Sequence, residues 1–172
     1  CEILLNNNFG NMDQWLKDKL GSYQKKGYVF KSCGKEWIVV MKKRKSTKTT
    51  EGRYDVKSKI FVTSYAKFRG DKFYVIDIVN KFDKEKGTKS VNNTYYTNEV
   101  LTYTKKKMIA SLRFDKDINN VCTDGIHYFL EYERAYYYDH SDIKNGIRKG
   151  WFDNDDFLPR LKPRVSLIDG SR

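Results

Sequence analysis

Cysteine and histidine are both scarce in this chain, and each scarcity excludes something. The three cysteines, Cys1, Cys33 and Cys122, are odd in number and show no paired spacing, which excludes a disulfide framework and points to a reducing compartment. Cys122, His127 and His140 are the only candidates for a metal. They stand too far apart for the close C-x2-C or H-x3-H pairs of a zinc site, so no metal is expected. A Cys122 nucleophile with His127 as its base lacks an orienting acid in the sequence; His127 reads instead as a hydrogen-bonded core histidine. No apolar run reaches the roughly 18 residues of a membrane helix. No basic-then-apolar leader is visible either, so neither a membrane contact nor secretion is expected and the sequon Asn92-Asn93-Thr94 is idle. No period of about 20–50 residues repeats, which excludes a solenoid body.

What is present is a folding composition. With 172 residues, 39% hydrophobic and 15% aromatic, the chain suits one domain with a real core rather than disorder. Lys+Arg 34 against Asp+Glu 22 leaves a net charge of +12, which favours a polyanion or an acidic protein partner. The acidic residues are interspersed, so a solvated mixed surface is the plainer reading of that excess. The chain opens at Cys1 rather than at a methionine, and preceding residues are expected.

Three regions are expected: an N-terminal helical segment over 1–27, a main α+β domain over 28–140, and a hairpin appendage over 141–172. In the first, Met12, Trp15, Leu16 and Leu20 recur at helical spacing, with Asn11 as N-cap, Gln14 reaching back to it and Gly21 as the stop. That stripe fits either the core or a partner. In the second, 28–31 and 37–41 flank Gly34 as a hairpin. The polar basic run 42–53 reads as an exposed loop. Lys42, Lys43, Arg44, Lys45, Lys48 and Arg53 are its candidates for polyanion contact, and a solvated hairpin extension is the bland alternative. "SKIFVTSYAKF" and "DKFYVIDIVNKF" read as strands around Arg69-Gly70-Asp71, and "NTYYTNEVLTY" as another. The fold class is therefore α+β, a single compact domain dominated by antiparallel strands with few short helices.

The densest stretch is "CTDGIHYFLEYERAYYYD", 122–139. Ile126 to Leu130 is a short apolar run suited to a strand buried on both faces, with Ile126, Tyr128 and Leu130 on one side and His127 and Phe129 on the other. From Glu131 the period changes. Tyr132, Ala135 and Tyr136, followed by Tyr138, share one face of a short helix.

"FDKDINNVCTDGIHYFLEYERAYYY" resembles the motif F-D-x-D…C-x-x-G-I-H-F-F-x-T-x-E-x-A-x-x-Y of a domain of unknown function attached to MORN-type or pentapeptide repeats in giant DNA viruses. "GRYDVKSKIFV" and "YYTNEVLTY" look like further segments of it, and "NGIRKGWFDNDD" is similar to one MORN-like repeat, which makes 141–172 a MORN-like hairpin. Glu131 stands where the motif has Ser or Thr, a better N-cap, and Asn98 stands where it has Gly.

More distantly, the strand and helix resemble an element of ADP-ribosyltransferases that holds the nicotinamide of NAD. By position, His127 would follow the strand and Tyr138 would stack on the ring, with Lys31 nearest to the first-strand His or Arg. No strand-borne catalytic Glu is evident, and without that carboxylate the resemblance implies at most a related fold.

The expectation that follows is a non-enzymatic interaction module of a large DNA virus, a virion component or host-directed binder, working in the host cytoplasm or the virion. It needs a protein partner and no cofactor. The alternatives are an NAD-binding ADP-ribosyltransferase-like enzyme and a basic nucleic-acid-binding protein.

Overall fold

A computed structural model describes residues 12–60, 62–93 and 99–138. In chain order they form α1 (Gln14–Gly21), β1 (Tyr28–Cys33), β2 (Trp37–Lys42), α2 (Tyr54–Lys57), a 3-10 turn (Thr63–Tyr65), β3 (Lys67–Gly70), β4 (Lys72–Asn80), β5 (Ser90–Asn92), β6 (Thr102–Thr104), β7 (Met108–Ala110), β8 (Ile126–Phe129) and α3 (Tyr132–Tyr137). No helix among the described residues is long and apolar enough to cross a membrane. The MORN-like hairpin, His140 and the Asn11 cap lie outside the described residues.

Six strands form one antiparallel sheet in the order β3-β8-β1-β2-β4-β7, and β5 pairs with β6 apart from it. The sheet curls into a half-barrel for a reason visible in the order: β3 and β4 are joined by Asp71 alone, yet three strands lie between them. Only curvature brings the edge strand back beside β4. Gly70 makes the corner, since a Cβ there would fall 2.4 Å from Cζ of Phe73.

The central strand β2 explains the continuous apolar run "WIVVM". Val39 and Met41 face the concave core with Val29, Phe68, Phe73, Val75 and Tyr128. Ile38 and Val40 face the convex core, where Leu16 and Leu20 of α1 and Ala135 and Tyr136 of α3 cover them. A strand buried on both faces has no polar positions to alternate with.

Several expectations are corrected. The helix begins after Asp13 rather than Asn11, and the Gln14 side chain donates to Asp18 at 2.9 Å instead of closing a capping box. Gly21 is the last residue of the helix, not the stop beyond it. "SKIFVTSYAKF" is not a strand over its length: only Lys67 and Phe68 enter β3, after a 3-10 turn. Nor do β3 and β4 form a hairpin.

The basic segment 42–53 is also more than a solvated extension. It lies along the seam between β3 and β4, where Thr50 N donates to Arg69 O at 3.0 Å, Asp71 N to Lys48 O at 3.1 Å and Thr47 Oγ1 to Lys72 O at 2.8 Å. Its Glu51 carboxylate takes the buried Tyr128 hydroxyl at 2.6 Å.

Candidate functional site

β1 and β8 share a single registered pair, Phe30 opposite Phe129, and then diverge. Between the diverging ends lies a recess of about 230 Å³, with Lys31 and Cys33 on one wall, Cys122 and His127 on the other, and Tyr138 and Glu99 at its margins. The His127 carbonyl, facing that gap, is taken by the Lys31 ammonium at 3.0 Å. One N–H of three is thereby used.

Two lysines act on the histidine of this recess. The Lys31 ammonium is held below the ordinary lysine pKa by burial, with the Lys67 charge acting in the same direction. Lys67, 3% exposed, enters from β3, its Nζ 3.7 Å from Cys122 Sγ and 5.5 Å from the Tyr138 ring centroid. His127 is pushed down to about 3 by burial and by the Lys67 and Lys31 charges, so it is neutral near pH 7. Its Nε2 lies 2.8 Å from the Thr123 carbonyl, an acceptor, which places the proton on Nε2. So weak a base is poorly matched to proton abstraction at neutral pH.

The carboxylates beside the recess have partners of their own. Glu99 Oε2 accepts the Leu112 N–H at 2.6 Å, and Asp124 Oδ2 faces Arg113 Nε at 3.5 Å. Above Lys31, with the ring centroid 5.9 Å from its ammonium, Tyr103 is fully buried. Its hydroxyl is the buried side-chain polar atom without a hydrogen-bond partner among the described residues.

The wall that carries Cys122 is a loop with no regular structure, and Arg69 of β3 organises it. The guanidinium donates to the carbonyls of Asp115 (3.1 Å), Asp117 (2.8 Å), Asn120 (3.0 Å) and Asp124 (2.8 Å), and stacks over Phe114 at 5.3 Å. The Asp115 and Asp117 carboxylates cap backbone N–H groups two residues on, at 2.9 and 3.0 Å. Gly125 closes the loop at φ +140°, where a Cβ would press on Phe114 Cδ1 and Arg69 Cβ at 3.1 and 3.2 Å. The F-D-x-D…G part of the motif therefore builds the wall rather than reacting.

The sequence-predicted residues divide. His127 and Tyr138 do share the recess, and Lys31 joins them. Tyr138 is not on the helix but caps it in extended conformation, its ring close to Phe129 (centroids 5.1 Å) and to the Lys67 and Arg134 cations. Of the basic set, Lys43 pairs with Glu51 at 2.9 Å, while Lys42 and Arg44 lie over Tyr28 and Tyr74. Lys45 and Lys48 are exposed. Arg53 is buried, bidentate to Asp55 at 2.7 Å and donating to the Lys67 carbonyl. No group of three or more His, Cys, Asp or Glu suited to a metal occurs among the described residues.

Lys67 and Arg69 escaped sequence reasoning because the first lies at the end of a stretch read as an ordinary strand and the second in the residues read as the turn after it. Alternating cations flanking Phe68 were the signal.

No curated protein and no solved structure matches the chain. Residues 19–135 match a family of unknown function, DUF5758, a span that takes in the whole sheet, the Arg69-organised loop and all but the last residues of α3. The chain belongs to that family.

Proposed function

We propose that this domain is a non-catalytic interaction module of a large DNA virus, in the virion or acting on a host protein, and that it seats a carboxylate of its protein partner in the recess between β1 and β8. The observation that carries this reading is a buried Lys31 ammonium lining one small space beside a neutral histidine, with the Lys67 charge acting on both. A cation held out of water is costly, and an anion arriving at Lys31 makes up for the lost solvation. The size supports a group rather than a whole ligand: about 230 Å³ is below the roughly 300–1,000 Å³ of small-molecule sites. A partner's acidic side chain or terminal carboxylate is of that scale. Cys33 and Cys122, in no disulfide among the described residues, fit a reducing setting such as host cytoplasm.

The test is titration of the protein, followed by calorimetry and ¹H–¹⁵N spectra, with a short oligoglutamate and with oligoglutamine of equal length. The acidic peptide is expected to shift the amides of Lys31, Gly125 and His127, the neutral one not, and Lys31→Met to abolish the response. Affinity should fall as pH rises, because the bound anion favours the protonated Lys31 whose pKa burial lowers. Shifts confined to the exposed 45–48 stretch, or none, would overturn the reading. An amidated peptide with internal Glu, set against one with a single free C-terminus, tells the two carboxylate sources apart.

One observation favours a second reading, an NAD-binding enzyme: His127, Tyr138 and Lys31 face one recess with Glu99 at its margin. Against it stand the small volume, the weakly basic imidazole and the cations already over the Tyr138 ring. Nicotinamide release from NAD by the wild type, lost in Glu99→Gln, would put this reading first.

A further inference from the structure

α1 and α3 cover the convex face of the sheet only in part. Across four strands the register sets Tyr28 opposite Lys42, Lys42 opposite Tyr74 and Tyr74 opposite Met108. Residues opposite one another share a face, and the next pair on that face, Phe30 with Val40, is the one the helices bury. The row is therefore convex, on the side of β1 away from Lys31. Tyr28 and Tyr74 are half-buried there, while Lys42 and Met108 are exposed. Lys72, two residues before Tyr74 on β4, adds a cation to the same face.

Each tyrosine ring of the row carries a cation. Lys42 Nζ lies 5.6 Å and Lys25 Nζ 5.9 Å from the Tyr28 centroid, and the Arg44 guanidinium lies 5.4 Å from that of Tyr74. Unlike Lys67 and Arg134 beside Tyr138, both 3% exposed, these three side chains reach solvent and can turn from a ring to an arriving anion. The carboxylates at this end of the sheet are engaged. Asp77 takes the Tyr23 hydroxyl at 2.6 Å and faces Lys105 at 3.3 Å, and Glu51 pairs with Lys43 at 2.9 Å. An open sheet face is left with two stackable rings and an excess of positive charge.

We propose that this row is a platform for single-stranded nucleic acid, with bases stacked on Tyr28 and Tyr74 and phosphates met by Lys25, Lys42, Arg44 and Lys72. Charge complementarity supplies the attraction, since a chain of net charge +12 suits a polyanion. The rings choose among polyanions: an unpaired base offers a flat π face that an acidic peptide lacks and that a duplex keeps inside its stack. A cation that leaves a ring to a base gains a phosphate in exchange.

The experiment is fluorescence anisotropy of the full chain with labelled oligo-dT and oligo-rU of about 12 nucleotides, and with a duplex of equal length, at several salt concentrations. Single strands are expected to bind more tightly than the duplex. Tyr74→Ala should lose about fivefold or more in affinity, and Tyr74→Phe should keep it. Lys42→Met and Arg44→Met should each lower the salt slope by about 0.7. A preference between the two oligonucleotides names the sugar, and equal binding assigns recognition to base and phosphate. Lys31→Met should leave this binding unchanged, so the platform and the recess fail separately. If Tyr74→Ala does not fold, the comparison with duplex and the two salt slopes still decide. Duplex binding as tight as that of single strands, indifference to Tyr74→Ala, unaltered salt slopes, or displacement by oligoglutamate as readily as by unlabelled oligonucleotide overturns the proposal, as does no binding at about 50 mM salt.

Discussion

Arg69 does more for this domain than any residue the sequence would have nominated. Four carbonyl oxygens from one irregular loop converge on a guanidinium that is 1% exposed. The arrangement satisfies a backbone segment that has no ladder to join. Arg69→Met keeps the stem and removes every donor, leaving those acceptors unpaired. The expected loss is about 3–5 kcal/mol, as for breaking a buried charged network, measured by urea denaturation, with the amides of 115–125 exchanging fastest. Tyr103 supplies the contrary case. Its hydroxyl has no hydrogen-bond partner among the described residues, so Tyr103→Phe removes an unsatisfied group without making a cavity and should leave stability unchanged or raise it by about 1 kcal/mol. A clear loss would show that the hydroxyl is hydrogen-bonded.

At the scale of elements, the outer face of the sheet depends on two short helices. α1 brings Leu16 and Leu20, both fully buried, against the face that carries Phe30, Ile38 and Val40. A helix of eight residues is not stable alone, so its formation is a packing event. Leu16→Ala should cost about 2–5 kcal/mol, read from the denaturation midpoint, and should expose the apolar outer face to dye binding. α3 was legible in sequence because the switch from alternation to the i, i+3, i+4 pattern falls at Glu131, where its N-cap is found. The strand before it was legible for the same reason: Ile126 and Tyr128 enter the concave core and Phe129 the convex one. "SKIFVTSYAKF" misled because β-branched and aromatic residues describe a half-buried surface, which a 3-10 turn and loop can supply as well as a strand.

For the molecule as a whole, the recess sets a pH dependence. His127 is ordinarily half-protonated near 6.5 but only near 3 when folded, so below pH 6.5 the unfolded chain binds a proton that the native one refuses. Stability is fully present above 6.5 and falls as pH drops, by up to about 1.4 kcal/mol per unit. Asp77, Asp55 and Glu36, all held below the usual carboxylate range by hydrogen bonds or cations that outweigh burial, lose their contribution only on further acidification. Denaturation midpoints between pH 7 and 5 should therefore slope downward in the wild type and flatten in His127→Gln. An equal slope in both would place the titration elsewhere.

Periodicity and composition were enough to predict an antiparallel α+β domain, the first hairpin, and the strand and helix at 126–137, because side chains that must leave water repeat at the spacing of the backbone that buries them. The resemblance to the ADP-ribosyltransferase element, not periodicity, brought His127 and Tyr138 forward as a pair. Curvature, and with it everything about the recess, was settled by packing between residues distant in the chain. Lys31, Lys67, Cys122 and Arg69 meet because the sheet curls at Gly70 and two strands part after a single pair. No local pattern encodes that, since the force that brings those charges together is the burial of apolar side chains on other strands.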